Sequence, residues 1–357
     1  MEFCLDLSYR RWVSAPDAET GVAFTLQTIA AADRAGLHSV WLSEDPDGWD
    51  AFAVLGAAAR QTERIRLGPG VTSPSLRHPV LMAMSVTTLD WLSGGRAFLG
   101  LGRGQPEWYD RGLGMPVSRP LAALEETIQL LRQWWQPPHV AHGTGERFPV
   151  QSWALGFGPL QPAVPIYLAA IGPKAVALAA RLADGLLTPD FISETYLEQT
   201  LLPALHAELC AHGRDPAQFP VFLRTAITIT NDPEPVLAQR KRMFALLATL
   251  PGMDRGLVVP GYDVPALIAQ LRRVMRTEEA LARGSGFVTY RKLADFTAAE
   301  RLIPTDFIAQ LSYVGTVSEI RSRLARLAAL GVTHVFLSAL AEPDPAAYAE
   351  LTAALQP

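Results

Sequence analysis

The chain has 357 residues, 49% of them hydrophobic and only 18% charged, which suits a protein that buries most of its surface around one large core and argues against a disordered one. A formal charge of −4 provides no concentrated basic face for a nucleic-acid partner, and no stretch approaches the ~18 uninterrupted apolar residues of a membrane span. Cys4 and Cys210 are too few for a disulfide framework and lack the paired spacing of a zinc site, so both are expected as reduced, buried thiols, with no metal bound.

The N-terminus, Met1-Glu2-Phe3-Cys4-Leu5-Asp6, has no basic patch followed by an apolar run, so a cytoplasmic location is expected. From there, short apolar or β-branched runs alternate with longer helical patterns, the order of parallel strands joined by crossover helices. A strand near 2–7 precedes a helix near 17–36, and strands at 38–43, 65–72 and 96–101 precede helices at 48–62, 78–94 and 118–135. The alternation continues through strand 165–169 with helix 173–183, strand 184–188 with helix 194–213, and strand 220–230 with helix 232–250. At the end, Ile320, Leu324, Leu327 and Leu330 recur at helical spacing across 316–330, Gly331 stops the helix, and an eighth strand occupies 333–338.

Two stretches break the pattern: 136–164, rich in Pro and Gly, and 251–312, with helical patterns near 263–283 and 297–311. They read as insertions in a single (β/α)₈ TIM-barrel domain spanning 1–357, and loops this long usually cover a site or form an interface. An open doubly wound sheet is the rival architecture. Gly100-Leu101-Gly102-Arg103-Gly104 follows a strand, but a dinucleotide fingerprint needs a further glycine where Gln105 stands and a helix opening at once, whereas no helix is expected here before Pro116.

The densest signal is Ile65-Arg66-Leu67-Gly68-Pro69-Gly70-Val71-Thr72-Ser73-Pro74-Ser75-Leu76-Arg77-His78-Pro79. Its glycines permit unusual dihedrals or close approach by a flat ligand, although a Pro-rich turn at a strand end explains them locally. Next comes Thr87-Thr88-Leu89-Asp90-Trp91-Leu92-Ser93-Gly94-Gly95-Arg96, leading into Ala97-Phe98-Leu99-Gly100-Leu101-Gly102. Together these segments resemble the luciferase-like oxidoreductases, most closely the branch of F420-dependent methylenetetrahydromethanopterin reductase. Pro165–Lys174, Ala183-Asp184-Gly185 and Gly315-Thr316 agree with the same pattern.

The resemblance implies a bacterial-luciferase-like barrel with its site at the C-terminal strand ends, and a non-prolyl cis peptide at Gly70-Val71 forming a bulge behind a deazaflavin. It implies cofactor contacts from Gly70, Val71 and Thr72, from Gly102, Arg103 and Gly104, and from Ala170, Ile171, Gly172, Pro173 and Lys174. Gly172-Pro173-Lys174 opens a helix whose free N–H groups, dipole and lysine suit a phosphate; a Pro-started helix with an exposed lysine is the plain alternative. Coenzyme F420 is the expected cofactor and FMN the alternative.

The match fails at two places. Many F420 enzymes of this superfamily carry an Asp-His pair after the second strand, where this chain reads Glu44-Asp45, and an acid where it has Gln105. Acids remaining at strand ends are Asp6, Glu44, Asp45 and Glu107. Asp6, Glu44 and Asp45 are the candidate catalytic residues, able to manage protons in a partly dry pocket, or else solvated charges and helix caps. Arg77 and His78 read as fold elements, Trp41, Trp49, Trp108 and Tyr109 as apolar packing, and His139 and His142 as surface residues. The resulting expectation is hydride transfer between deazaflavin C5 and a small organic substrate, in a homodimer. An FMN-dependent monooxygenase and a non-catalytic cofactor-binding or partner subunit are the other readings.

Overall fold

Each βα unit lays an apolar strand against the buried stripe of the helix that follows, and repeating the unit curls the sheet round on itself. The computed structural model describes residues 1–7, 18–46, 48–284 and 286–356. Asp17, the expected start of the first helix, lies outside them.

The barrel strands are β1 Glu2–Asp6, β2 Ser39–Leu42, β3 Arg66–Pro69, β4 Leu99–Leu101, β7 Ile166–Ala169, β8 Gly185–Leu187, β9 Val221–Ile229 and β11 His334–Leu337. They pair in parallel in the order β3-β2-β1-β11-β9-β8-β7-β4. The outer two strands then meet. Leu67 bridges Ala97 and Thr72 bridges Leu101, with the Thr72 N–H donating to the Gly100 carbonyl at 3.0 Å and the Gly102 N–H to Thr72 at 2.9 Å. An open sheet would leave those edges unpaired, so the doubly wound alternative falls.

The surrounding helices are α1 Ala18–Ala35, α2 Ala51–Ala59, α3 Pro79–Ser93, α5 Pro120–Trp135, α6 Pro173–Leu182, α7 Leu202–Ala211, α8 Glu234–Ala248 and α14 Val317–Ala329. The order also includes α4, Pro106–Leu113, where none was expected. Pro106 does not break this segment; it occupies the first helical position, where a missing N–H costs nothing. A further helix, α15 Pro345–Leu355, follows β11 and packs on α1.

Inside the barrel, Cys4, Trp41, Phe98, Tyr167, Leu187, Phe222 and Phe336 form an aromatic plug. This explains glycines that the sequence had left open to a flat ligand. A Cβ on Gly68 would stand 2.5 Å from the Phe98 ring, and one on Gly70 would stand 2.7 Å from Trp41 Cβ. β3 and the residues just after it therefore need glycine to admit the plug. Burial pushes the Cys4 thiol up to about 12, and it accepts a hydrogen bond from Ser39 at 3.1 Å. Cys210 is exposed, contrary to expectation, because it falls on the solvent side of α7.

The insertion 136–164 folds as an antiparallel hairpin of β5 Val140–Thr144 and β6 Pro149–Ala154 lying along α5. His142 is exposed there, but His139 is half-buried with Nδ1 2.9 Å from the Trp134 carbonyl. The second insertion forms α9 Val264–Val274, α10 Thr277–Ala282, α11 Phe287–Leu293, α12 Phe296–Leu302 and α13 Thr305–Gln310. Their apolar faces build a separate cluster with α8, joined by Trp108 and Tyr109 of α4. β10, Val314–Gly315, then pairs with β9 and returns the chain to the barrel. No described helix is long and apolar enough to cross a membrane.

Candidate active site

The C-terminal ends of the strands open into a cavity of about 690 Å³, within the roughly 300–1,000 Å³ typical of cofactor and small-molecule sites. Glu44, Asp45, Gly70, Val71, Gly102, Arg103, Gly104, Ala170, Ile171, Gly172, Pro173 and Lys174 all line it. Asp6 and Thr72 are absent from that lining and stand behind it. The Gly70-Val71 peptide is cis.

The acids differ in what they touch. Glu44 is buried, accepts from the Thr72 hydroxyl, and receives Arg77 Nε at 2.6 Å. Arg77 continues to Asp50, the cap of α2, at 2.6 Å. Burial opposes the charge on Asp50, but the Ala53 N–H and Arg77 outweigh it and hold the carboxyl below its ordinary value. Glu44 thus ties the end of β2 to the segment after β3. His78 caps α3, its Nδ1 3.3 Å from the Val80 N–H, so Arg77 and His78 are the fold elements anticipated. Asp45 is less enclosed and accepts from the Ser43 hydroxyl at 2.9 Å.

Asp6 meets a residue that the sequence did not single out. Arg224 Nε lies 3.0 Å from its carboxylate, and the same guanidinium donates to the Gly70 carbonyl at 2.9 Å. In the strand order, β9 stands across the barrel from β3, so one side chain bridges the mouth. A bulge in β9 follows directly: the register shifts opposite Val335–Leu337, Ala226 takes φ 48°, and the Thr225 hydroxyl bonds the Phe336 backbone at 2.8 and 3.0 Å. Leu-Arg-Thr inside a strand reads as ordinary alternation, and only the bulge and its opposite partners mark Arg224 as special.

Two more residues were missed. Asp190 beyond β8 lines the cavity and is clasped by both Arg240 terminal nitrogens, at 2.9 and 3.2 Å, with Phe191 next to it at φ 61°. Arg255 reaches in from the second insertion, its Nη1 3.1 Å from where a Gly172 Cβ would sit. Gly172 caps α6 without a side chain, leaving the first turn without the side-chain acceptor that most caps provide. Lys174 and Arg255 flank that helix start, and Ala169, Ala170 and Gly172 leave it uncrowded. These features fit a phosphorylated, flat-ringed cofactor: an apolar wall at Gly70-Val71, and dipole and cations at α6. Among the described residues, no group of His, Cys, Asp and Glu is placed to hold a metal.

The family profile described as luciferase-like monooxygenase matches residues 1–334. A protein named as a coenzyme F420-dependent oxidoreductase, from Mycobacterium tuberculosis, is 31% identical over 88% of this chain and 90% of its own length. The 5,10-methylenetetrahydromethanopterin reductase of Methanopyrus kandleri is 26% identical over 88% of each chain. Among solved structures, the F420-dependent tetrahydromethanopterin reductase of the same organism superposes with a TM-score of 0.75 at 24% identity, covering 98% of this chain and 96% of that one. An FMN-bound oxygenating component of a diketocamphane monooxygenase from Pseudomonas putida shares the fold, with a TM-score of 0.67 at 15% identity, covering 100% and 97%.

Proposed function

The chain belongs to the luciferase-like monooxygenase family, and from that premise we propose that it is an F420-dependent oxidoreductase acting on a small organic substrate. The observation that carries this reading is a single cavity walled by Gly70-Val71 on one side and by the Ala170–Lys174 helix start on the other. When bound, a deazaflavin would supply hydride exchange with a substrate carbon. The protein's part is to bind, orient and exclude water. Gly70, Val71, Gly102 and Gly104 provide close backbone surface for the ring, while Lys174, Arg255 and the α6 N-terminus hold phosphate. Thr72 acts from behind, as a hydrogen-bond donor that fixes Glu44.

Among the proposed catalytic acids, Asp6 works through Arg224 and Glu44 through Thr72 and Arg77, so both orient the cavity wall. Asp45 accepts from Ser43 and lines the cavity, where it faces substrate. Titrating the purified protein with F420 and, separately, FMN tests the reading. F420 is expected to bind with quenching of its fluorescence; saturable FMN binding with none for F420 would sink it.

A cytoplasmic homodimer completes the proposal. Cys4 and Cys210 are free thiols, which suits a reducing compartment. Leu81, Met84, Trp91 and Leu92 form an exposed stripe on α3, next to exposed Trp153, Phe157 and Leu160, and Trp91 Nε1 joins the two patches through the Gly158 carbonyl at 3.0 Å. A second copy would cover this surface. Light scattering is expected to give twice the chain mass, and Trp91→Glu with Met84→Glu to halve it.

A further inference from the structure

Glu107 was noted in the sequence as one acid among several, and the fold gives it an unusual environment. It occupies the first turn of α4, lines the cavity, and its Oε2 is buried with no hydrogen-bond partner among the described residues. Its other oxygen lies 3.7 Å from Arg103 Nη1, beyond hydrogen-bond reach. Arg103 is itself fixed, donating from Nη2 to the Pro251 carbonyl at 2.7 Å. A carboxylate oxygen shut away from water without a donor is costly, and an acceptor-only group can be satisfied only by an O–H or N–H. The Glu107 side chain as a whole is 34% exposed, so the carboxylate reaches the cavity while this one oxygen is left without a donor.

We propose that Glu107 is the proton acceptor of the reaction, and that the substrate carries a protic O–H or N–H on the carbon that gives up hydride. The proposal rests on the F420-dependent reading above. In the oxidative direction the C–H bond breaks with its electron pair passing to C5 of bound F420. The O–H or N–H bond breaks with its proton passing to Glu107 Oε2, and a C=O or C=N bond forms. The cavity lining includes Leu121, Leu124, Leu247, Met253 and Phe287, which favours a substrate that is otherwise apolar. Gln105, an amide, cannot take this proton, whereas the carboxylate two positions on can.

The test uses wild type, Glu107→Gln and Glu107→Asp with F420, measuring F420 affinity by fluorescence and F420 reduction by absorbance. One arm offers isopropanol, cyclohexanol and benzyl alcohol; the other offers isopropylamine, cyclohexylamine and benzylamine. Wild type is expected to reduce F420 in one arm, which identifies the donor atom. Glu107→Gln is expected to keep F420 affinity and unfolding midpoint while losing roughly a hundredfold or more in kcat, together with the acid limb of the pH profile. Glu107→Asp should restore part of both. Reduction in neither arm by protein that binds F420, or an unchanged rate and pH profile in Glu107→Gln, overturns the proposal. Failure of wild type to bind F420 overturns instead the reading beneath it.

Discussion

At the scale of single residues, the Asp6–Arg224 pair decides the shape of the barrel mouth. Both side chains are nearly enclosed, at 12% and 9% exposure, so removing one partner leaves the other's charge poorly compensated. Arg224→Met is expected to lower unfolding free energy by ~3–5 kcal/mol in urea titrations. Arg224→Lys should fall between, since an ammonium keeps the charge but cannot serve Asp6 and the Gly70 carbonyl as a fork does. Cofactor affinity should drop in the same order. Gly70→Ala acts on the same wall from the aromatic side: its Cβ would meet Trp41 Cβ at 2.7 Å, and both atoms are fixed close to backbone. An overpacking loss of ~1–3 kcal/mol is expected from the same titration, and a midpoint equal to wild type would show that β3 can shift. The sequence marked Asp6, Glu44 and Gly70 through their places at strand ends. It could not mark Arg224 as the neighbour of Asp6 and Gly70, Arg77 as that of Glu44, or Arg255 as that of Gly172, because those contacts are made across the barrel, between adjacent strand ends or from an insertion, and no periodicity encodes them.

At the scale of elements, the helices that followed an unbroken pattern were legible, and the one framed by breakers was not. α14, legible from its leucine spacing, also carries a capping box of Thr316 and Glu319, with the Thr316 N–H donating to Glu319 at 2.8 Å. Thr316→Ala is expected to cost ~1 kcal/mol, read as a lower thermal midpoint without change in cofactor binding. α4 went unread because Gly104 and Pro106 look like punctuation; in the fold they are its entry. The tertiary contact that seats α4 is a pair of glycines. A Cβ on Gly112 would lie 2.0 Å from the Gly284 carbonyl, and Arg111 donates to the Leu281 carbonyl at 3.1 Å. Gly112→Ala must therefore part α4 from the inserted helices, displacing Glu107 and Tyr109 from the cavity wall. Limited proteolysis is expected to cut within 251–312 faster in this variant, while far-ultraviolet dichroism stays that of a folded barrel. Cleavage at the wild-type rate would mean the contact yields without opening the cover.

At the scale of the whole molecule, the two ends of the barrel divide the work, and the end away from the cavity holds a titratable core. His334 on β11 stacks on Phe222 with centroids 4.0 Å apart and meets the His38 ring edge-on at 4.5 Å. Burial first, then the nearby His38 and the N-terminal amine, bring His334 down from 6.5 to about 3. Burial also lowers His38, with Arg66 acting the same way and Glu2 opposing. Both imidazoles are neutral in the fold but bind protons when unfolded, so their contribution to stability is complete above the unfolded value near 6.5 and is lost as pH falls toward their folded values. Each fully titrating site contributes a slope of at most ~1.4 kcal/mol per pH unit. Asp33 and Asp50, whose folded values are also lowered, act below their ordinary 3.8, and Glu125 and Glu319 below 4.5, so the interval between about 6 and 5 belongs mainly to the histidines, His78 among them. Urea midpoints measured across that interval should fall for wild type and fall less steeply for His334→Gln, whose side chain can still accept from Thr333, 2.7 Å from His334 Nδ1. Because this end is separated from the cavity by the Trp41–Phe222 layer, F420 affinity of His334→Gln at neutral pH should equal wild type. Equal pH slopes in the two proteins would place the acid sensitivity elsewhere in the chain.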